Sequence, residues 1–231
     1  MALASEAGGG AAAAKKAARR EIIKALKALG DDAMAAQNAA IAARVLASRA
    51  FASARTVGVY IHCAKLHEVD TMPLLRDALA QGKRVYVPLV DDRNSNMRLL
   101  HIDAADDMRP APPFGILEPS VSYADGSARE NVMEMERPLD LLLMPGLGFD
   151  AAGGRLGRGG GYYDKFVRGL QQRAAEQGWA PPLLVALAFT EQLRDGGVPM
   201  EPHDAFLDAV VTPGALHLCS DAARRAEAGG G

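Results

Sequence analysis

A strand–helix–strand pattern in the first half of the chain constrains the fold more than any other feature. Residues 57–61 (VGVYI) form an apolar run typical of a buried strand, and residues 84–90 predict a second strand. Between them, residues 72–81 are predicted as a helix that ends at Gly82. Strands joined by a helical crossover lie parallel in one sheet. The pattern therefore predicts an α/β fold with a parallel sheet covered by helices.

The other predicted elements extend this pattern into one domain. Residues 139–144 are almost continuously apolar, which is typical of a strand covered on both faces. Further strands are predicted over residues 97–102, 183–189 and 209–211, and helices over residues 15–29, 31–46 and 162–177. A proline-rich stretch at residues 110–119 predicts a surface loop. We expect a disordered tail over residues 1–14, a single domain over 15–218 with an N-terminal helical extension, and a flexible tail over 219–231.

Composition argues against several classes of protein. The chain of 231 residues carries 26 basic and 28 acidic side chains, a net charge of −2 that is not typical of a nucleic-acid-binding protein. Two cysteines, Cys63 and Cys219, form neither a disulfide framework nor a zinc motif. No run reaches the ~18 apolar residues that a membrane span needs. We therefore expect no nucleic-acid and no membrane partner.

The segment from Pro145 to Asp164 indicates where the chemistry lies. It follows the apolar strand at 139–144 directly, and eight of its 20 residues are glycine. Ligands of open α/β sheets bind at the carboxyl ends of the strands, and glycines let backbone N–H groups approach phosphates there. Arg155 and Arg158 can each hold phosphate oxygens through two donors. The segment therefore predicts polyphosphate binding.

Other interpretations of this segment are weaker. Residues 146–151 formally match a dinucleotide-binding fingerprint, but Pro145 precedes them and more loop rather than a helix follows. A Walker A loop is excluded because no Gly-Lys-Ser/Thr occurs. A flexible linker does not need interleaved arginines, tyrosines and an aspartate. Elsewhere, His62 and His67 are five residues apart and lack evident zinc-site partners.

These motifs together resemble the 5-formyltetrahydrofolate cyclo-ligase family, also called methenyltetrahydrofolate synthetases. The resemblance rests on RLGRGGGYYD preceded by PGLGFD, and on the downstream runs ALAF-TEQ and VPMEPHDAFLDAVVTP. It extends from about Lys15 to Pro213. Two further runs, YIHCAKLHEVDT and DDRNSNMRLLHI, are similar to the plant branch of the family.

The resemblance implies a fold and an activity. The fold is a three-layer αβα sandwich with a Rossmann-like, mostly parallel sheet. The activity is the ATP-dependent conversion of 5-formyltetrahydrofolate to 5,10-methenyltetrahydrofolate, with release of ADP and phosphate. ATP is then a co-substrate, Mg²⁺ is the cofactor, and we expect a monomer. The plant-like resemblance points to the mitochondrial matrix, whereas the first 14 residues lack transit-peptide character, so the cytoplasm stays open.

The resemblance also implies the site residues. Catalytic roles fall on Arg158 and Tyr162, and magnesium ligation falls on Asp164 and Asp204. The implied ATP-binding residues are Lys15, Arg19, Arg155, Leu156, Gly157, Arg158, Gly159, Gly160, Gly161, Tyr162 and Tyr163. The implied folate-binding residues are Ile61, Glu68, Phe114, Arg158, Gly159, Gly160, Gly161 and Tyr162. Glu68 is an acceptor suited to pterin N–H groups, and Phe114 and Tyr162 can pack on flat rings.

Two other functions stay open at this point. One is a catalytically inactive relative that keeps the fold and binds folate or nucleotide. A decayed site is expected to lose some of its charged residues, and all of those implied are present. The other is an ATP-dependent ligase that acts on a different acid or amide.

Overall fold

A computed structural model of the protein describes residues 3–113, 115–201 and 204–229. Its centre is a seven-stranded sheet that combines β1 (Thr56–Gly58), β2 (Arg84–Val90), β3 (Met97–Ile102), β6 (Leu141–Met144), β9 (Leu183–Leu187), β10 (Ala209–Val211) and β11 (Leu216–Leu218). Two short hairpins supply the other strands: β4 (Met108–Ala111) with β5 (Ile116–Pro119), and β7 (Gly148–Phe149) with β8 (Arg155–Leu156).

The strand order confirms a mostly parallel sheet. It runs β11-β10-β9-β6-β1-β2-β3, and the five central strands are parallel to their neighbours. Only the two edge strands, β3 and β11, are antiparallel. From β1 the chain moves outward to β2, and it later moves in the other direction from β6 to β9 and β10. The order therefore reverses between β1 and β6, which is where open α/β sheets form a ligand crevice.

Helices cover both faces of the sheet, so the predicted sandwich is confirmed. The six helices described are α1 (Leu3–Ala28), α2 (Asp31–Ala47), α3 (Arg49–Ser53), α4 (Met72–Ala80), α5 (Tyr162–Gln177) and α6 (Asp221–Ala228). Successive side chains of β6 alternate between two cores, because a strand presents its residues to opposite faces. Leu141 and Leu143 join the core with α1 to α4 and α6, whereas Leu142 and Met144 join the core with α5.

The structure of the proline-rich stretch differs from the predicted surface loop. Strands Met108–Ala111 and Ile116–Pro119 pair as the β4–β5 hairpin where a surface loop was predicted, with Met108 opposite Pro119 and Pro110 opposite Leu117. Both strands of a two-stranded ladder are edge strands, where a proline without an N–H group is tolerated. Met108 and Ile116 pack against the core, which fixes the hairpin on the body of the protein.

The described residues of both predicted tails contain helices. Helix α1 begins at Leu3 rather than near Lys15, because alanines 11–14 favour helix and extend a helix whose later turns are anchored by Ile22 and Leu26. Helix α6 occupies Asp221–Ala228 within the segment predicted as a flexible C-terminal tail. The Ser220 hydroxyl caps it, and the Glu227 carboxylate accepts hydrogen bonds from the backbone N–H groups of residues 49 and 50 in α3. Among the described helices, none combines the length and apolar character needed to cross a bilayer.

Candidate active site

A cavity of about 600 Å³ opens at the carboxyl ends of β1, β2 and β6, beside the point where the strand order reverses. It brings together all the predicted site residues that the structure describes. These are Lys15, Arg19, Ile61, Glu68, Arg155, Leu156, Gly157, Arg158, Gly159, Gly160, Gly161, Tyr162, Tyr163, Asp164 and Asp204. The remaining one, Phe114, lies outside the described residues.

The glycine-rich segment divides into two parts with different surroundings. In residues 145–154 the glycines are buried, and a Cβ on Gly154 would lie 2.3 Å from the Asp150 carboxylate. That carboxylate is itself held by the backbone N–H groups of residues 152, 154 and 198. In residues 155–161 the four glycines are half-buried or exposed, and all line the cavity. The prediction that glycines open the backbone to a ligand therefore applies to the second part.

Lys15 reaches the cavity from α1. Its Nζ donates to Glu201 Oε2 and to Asp204 Oδ2, both at 2.6 Å. Burial opposes the charge of this ammonium group, but the hydrogen bonds to Asp204 and Glu201 outweigh that effect and raise the pKa of Lys15. A residue predicted to bind ATP and a residue predicted to bind Mg²⁺ thus form an ion pair.

Two arginines fix the wall beneath the glycines. The Arg155 guanidinium is buried, donating to Asp164 Oδ1 at 2.5 Å and to the Pro145 carbonyl at 3.3 Å. Its Nε has no hydrogen-bond partner among the described residues. Arg19, one helical turn after Lys15, donates from Nε to the Gly157 carbonyl at 2.8 Å. Cationic donors therefore surround the exposed part of the glycine-rich segment.

Arg158 joins the glycine-rich segment to the loop that follows β1. Its Nε donates to Glu68 Oε1 at 3.3 Å, and its other guanidinium nitrogen donates to the Leu66 carbonyl. The second Glu68 oxygen accepts the Cys63 N–H at 2.9 Å. Both oxygens of Glu68 are thus in use, one on the backbone and one on Arg158. Ile61, at the start of the same loop, lines the cavity as predicted.

The turn between β2 and β3 closes over the exposed glycines. The Tyr162 hydroxyl donates to the Asp92 carbonyl at 2.8 Å, and the Ser95 hydroxyl donates to the Gly160 carbonyl. The Tyr162 ring thereby becomes part of the cavity wall with a fixed orientation. The Lys165 ammonium donates to Asn96 from the next turn of α5.

Two predicted residues contribute mainly to packing. Leu156 is 1% exposed and belongs to the core beneath the helices, so its backbone is the part available to a ligand. The Tyr163 ring packs against both cores. Burial, with the nearby Glu68 carboxylate, raises the pKa of the Tyr163 phenol, which therefore stays protonated. The same two causes raise the pKa of Tyr60, a neighbouring wall residue.

Several wall residues were not predicted from the sequence. Glu201 lies three positions before Asp204 and shares Lys15 with it, so its spacing from a predicted ligand could have drawn attention to it. Glu118 and Ile116 come from the β4–β5 hairpin, which was predicted as a loop. The remaining wall includes Pro88, Val90 and Met97 from β2 and β3, whose apolar character was assigned only to strand formation.

Comparison with known proteins identifies the family. The sequence profile described as the 5-formyltetrahydrofolate cyclo-ligase family matches residues 11–213, most of the chain. The chain belongs to this family. It is 45% identical over 201 residues to the mitochondrial 5-formyltetrahydrofolate cyclo-ligase of Arabidopsis thaliana, an alignment that covers 84% of this chain and 72% of the relative. The cyclo-ligase of Mus musculus is 28% identical over 84% of this chain and 90% of its own length.

A solved structure of similar fold supports the α/β architecture described for this chain. The NMR structure of 5,10-methenyltetrahydrofolate synthetase from Aquifex aeolicus matches with a TM-score of 0.70. The match covers 90% of this chain and 93% of that chain, at 23% sequence identity. The predicted family and fold class are both confirmed.

Proposed function

We propose that the chain catalyses the ATP-dependent cyclisation of 5-formyltetrahydrofolate to 5,10-methenyltetrahydrofolate, with release of ADP and phosphate. The observation that carries this proposal is a single cavity with two kinds of wall. One wall presents the cations Lys15, Arg19 and Arg155 beside exposed glycines, which suits a polyphosphate. The other presents apolar side chains, Val90 and Met97 among them, which suits a flat ring system.

Arg158 lies where the two kinds of ligand have to meet, since it extends from the glycine-rich segment to Glu68. In the proposed reaction the formyl oxygen attacks the γ-phosphorus, the bond to the β-phosphate oxygen breaks and ADP leaves. N10 then attacks the formyl carbon of the imidoyl phosphate, N10 loses its proton to solvent water, and the C–O bond breaks so that phosphate leaves. No protein nucleophile is required, because the substrate supplies both attacking atoms.

Positioning and charge neutralisation are what such a phosphoryl transfer demands from the protein. Arg158, Lys15 and Arg155 supply positive charge beside the exposed glycines, and the backbone N–H groups of those glycines add donors. Tyr162 orients the ring of its ligand through its own ring, which the hydrogen bond to Asp92 holds in place. Lys15 and Arg155 are buried and Arg158 is half-buried, which strengthens their interactions with an anion.

Asp164 and Asp204 are the residues that we propose for Mg²⁺. Both carboxylates line the cavity, and Mg²⁺ typically takes one or two carboxylates together with phosphate oxygens and waters. Within the described chain, no group of three His, Cys, Asp or Glu side chains is arranged to hold a metal alone. The donor set therefore fits a metal that arrives with ATP. Bound there, Mg²⁺ neutralises phosphate charge.

Substitution of each aspartate tests this assignment. We expect Asp164→Asn and Asp204→Asn each to raise the Mg²⁺ concentration for half-maximal activity by about tenfold or more, a cost that outer-shell changes around a metal already carry. Asp106→Asn is the matched control, since Asp106 is exposed and does not line the cavity. Mg²⁺ titrations of both site variants that overlay the parent curve contradict the assignment.

The activity itself is tested by incubating the protein with 5-formyltetrahydrofolate and Mg-ATP while recording the absorbance of the methenyl product. We expect product and ADP in a 1:1 ratio, and no product without ATP. Binding of both ligands without turnover would instead indicate a catalytically inactive relative.

The remaining assignments stay predictions. A monomer is expected, and light scattering coupled to size-exclusion chromatography checks it. The Arabidopsis relative is named as mitochondrial, so the mitochondrial matrix is one predicted location and the cytoplasm is the other.

A further inference from the structure

Glu118 is an acidic side chain in the cavity wall that the reaction as described does not use. It lies on β5, in the hairpin that packs against β2. The cavity wall beside the hairpin includes the apolar residues Pro88, Val90, Met97 and Ile116. Across the hairpin Glu118 is opposite Arg109, whose guanidinium donates to the Asp106 and Met108 carbonyls and forms no ion pair with Glu118 among the described residues. An acid placed among apolar residues in a ligand cavity needs a partner, because a half-buried carboxylate loses part of its hydration.

The described residues offer the Glu118 carboxylate few hydrogen-bond donors. The Val90 N–H donates a hydrogen bond to the Glu118 carboxylate, and no salt bridge joins this carboxylate to a cation within the described chain. Burial and the nearby Asp91 carboxylate raise the pKa of Glu118, and the Val90 hydrogen bond only partly offsets them. An ionised carboxylate can accept about four hydrogen bonds, so most of its capacity faces the cavity.

The cationic groups of the cavity are engaged elsewhere. Lys15 donates to Glu201 and Asp204. Arg155 pairs with Asp164, Arg158 pairs with Glu68, and Arg19 donates to the Gly157 carbonyl. Glu118 therefore lacks a charged partner in the described protein and is available to donors of a ligand.

We propose that Glu118 binds the N–H donor edge of the pterin ring, accepting from the 2-amino group and the adjacent ring N–H. Two neighbouring donors on a planar ring match the two oxygens of a carboxylate. The apolar neighbours of Glu118 suit the faces of the same ring. Glu68, in contrast, already holds Cys63 and Arg158 with its two oxygens, which leaves Glu118 as the acid with the greater free capacity. This proposal rests on the proposed function and deepens it.

The proposal is tested by measuring the affinity for 5-formyltetrahydrofolate without ATP, by calorimetry, for the parent, Glu118→Gln and Glu136→Gln. Glu136 is an exposed glutamate that does not line the cavity, so its variant is the matched control. We expect Glu118→Gln to weaken folate binding by about ten- to hundredfold, the effect of losing a charged hydrogen-bond partner. We expect its ATP affinity, its melting temperature and all values for Glu136→Gln to match the parent.

A modified ligand separates a direct contact from an indirect one. An analogue in which methyl replaces the 2-amino group removes one donor from the ring. The parent is expected to bind this analogue far more weakly than 5-formyltetrahydrofolate, and Glu118→Gln is expected to lose most of that discrimination. Unchanged folate affinity in Glu118→Gln, or discrimination equal to the parent, overturns the role of Glu118 alone. A parent protein that does not bind 5-formyltetrahydrofolate overturns the proposed function together with this inference.

Discussion

The two parts of the glycine-rich segment carry the same residue for different reasons. In residues 145–154 the glycines serve the fold: a Cβ on Gly146 would lie 2.5 Å from the Phe149 ring, and one on Gly154 would lie 2.3 Å from Asp150. In residues 155–161 all four line the cavity, although a Cβ on Gly160 would lie 2.9 Å from the Tyr162 ring and Gly159 and Gly161 have positive φ angles, so Gly157 shows the contrast most clearly. A Cβ on Gly157 meets only the Arg155 guanidinium at 3.4 Å, and one on Gly159 lies 3.9 Å from Arg19.

The difference shows that glycine content alone does not locate a phosphate site. The first part holds the β7–β8 hairpin against the sheet and so fixes where the second part begins. The second part lines the cavity together with its two arginines, Arg155 and Arg158, which pair with Asp164 and Glu68. Changes in the two parts therefore have different consequences, on stability in one and on ligand binding in the other.

Removal of Arg158 is expected to have the largest effect on activity. Loss of an arginine that stabilises phosphoryl transfer costs on the order of 10³-fold or more in turnover. Arg158 is half-buried, and among the described residues its hydrogen bonds go to Glu68 and Leu66, so we expect Arg158→Ala to keep the parent melting temperature. Steady-state kinetics and thermal melts check both points, with the exposed Arg76→Ala as control. Near-parent kcat/KM contradicts the role of Arg158.

Lys15 and Arg19 of α1 provide a second test of the ligand-binding part of the glycine-rich segment, because they line the same cavity. Lys15 and Arg19 face the cavity one turn apart, whereas Lys16 and Arg20 beside them are exposed. Replacing Lys15 and Arg19 together with Ala is expected to raise the KM for ATP by about tenfold or more, because charged hydrogen-bond donors are lost. Replacing Lys16 and Arg20 is expected to have little effect. Equal increases in the two double variants would indicate a general charge effect.

Substitution of Glu68 tests its predicted role in folate binding, and a smaller effect on affinity is expected. Glu68→Gln keeps the shape of the side chain but removes its charge. Each Glu68 oxygen already accepts one hydrogen bond and can accept a second, so we expect 5-formyltetrahydrofolate binding to weaken by only about fivefold, less than in Glu118→Gln, with ATP affinity little changed. Binding assays for each ligand separate the possibilities. Weakened ATP binding with intact folate binding would mean that Glu68 acts by holding Arg158.

The strand–helix–strand pattern predicted much of the fold because strand and helix periods are local properties. The apolar run at 139–144 predicted a strand covered on both faces, and β6 confirms it at Leu141–Met144. Local patterns also misled. The prolines of residues 110–119 predicted a loop, whereas tertiary packing stabilises the β4–β5 hairpin there. The Ala- and Arg-rich run after Cys219 predicted a flexible tail. Helix α6 forms there because Ser220 caps it and Glu227 accepts a hydrogen bond from the backbone of α3.

The candidate site was predicted less evenly. The glycine-rich segment and its arginines lie together in the sequence, so they could be assigned to one place. The partners across the cavity could not, because Lys15 and Asp204 are 189 residues apart and their ion pair depends on the whole fold. Glu118 had no distinguishing pattern, since an isolated acid in a proline-rich stretch is usually a solvated side chain.

Ligand-induced thermal stabilisation of Gly154→Ala and Gly157→Ala tests the central comparison most directly. Each variant is melted with and without Mg-ATP. Gly154→Ala is expected to lose about 1–3 kcal/mol of stability from overpacking against Asp150, yet to retain the ATP-induced rise in melting temperature. Gly157→Ala is expected to melt like the parent without ligand and to lose most of that rise. The reverse pattern, or equal losses of both quantities in both variants, would contradict the division of the glycine-rich segment into a packing part and a ligand-binding part.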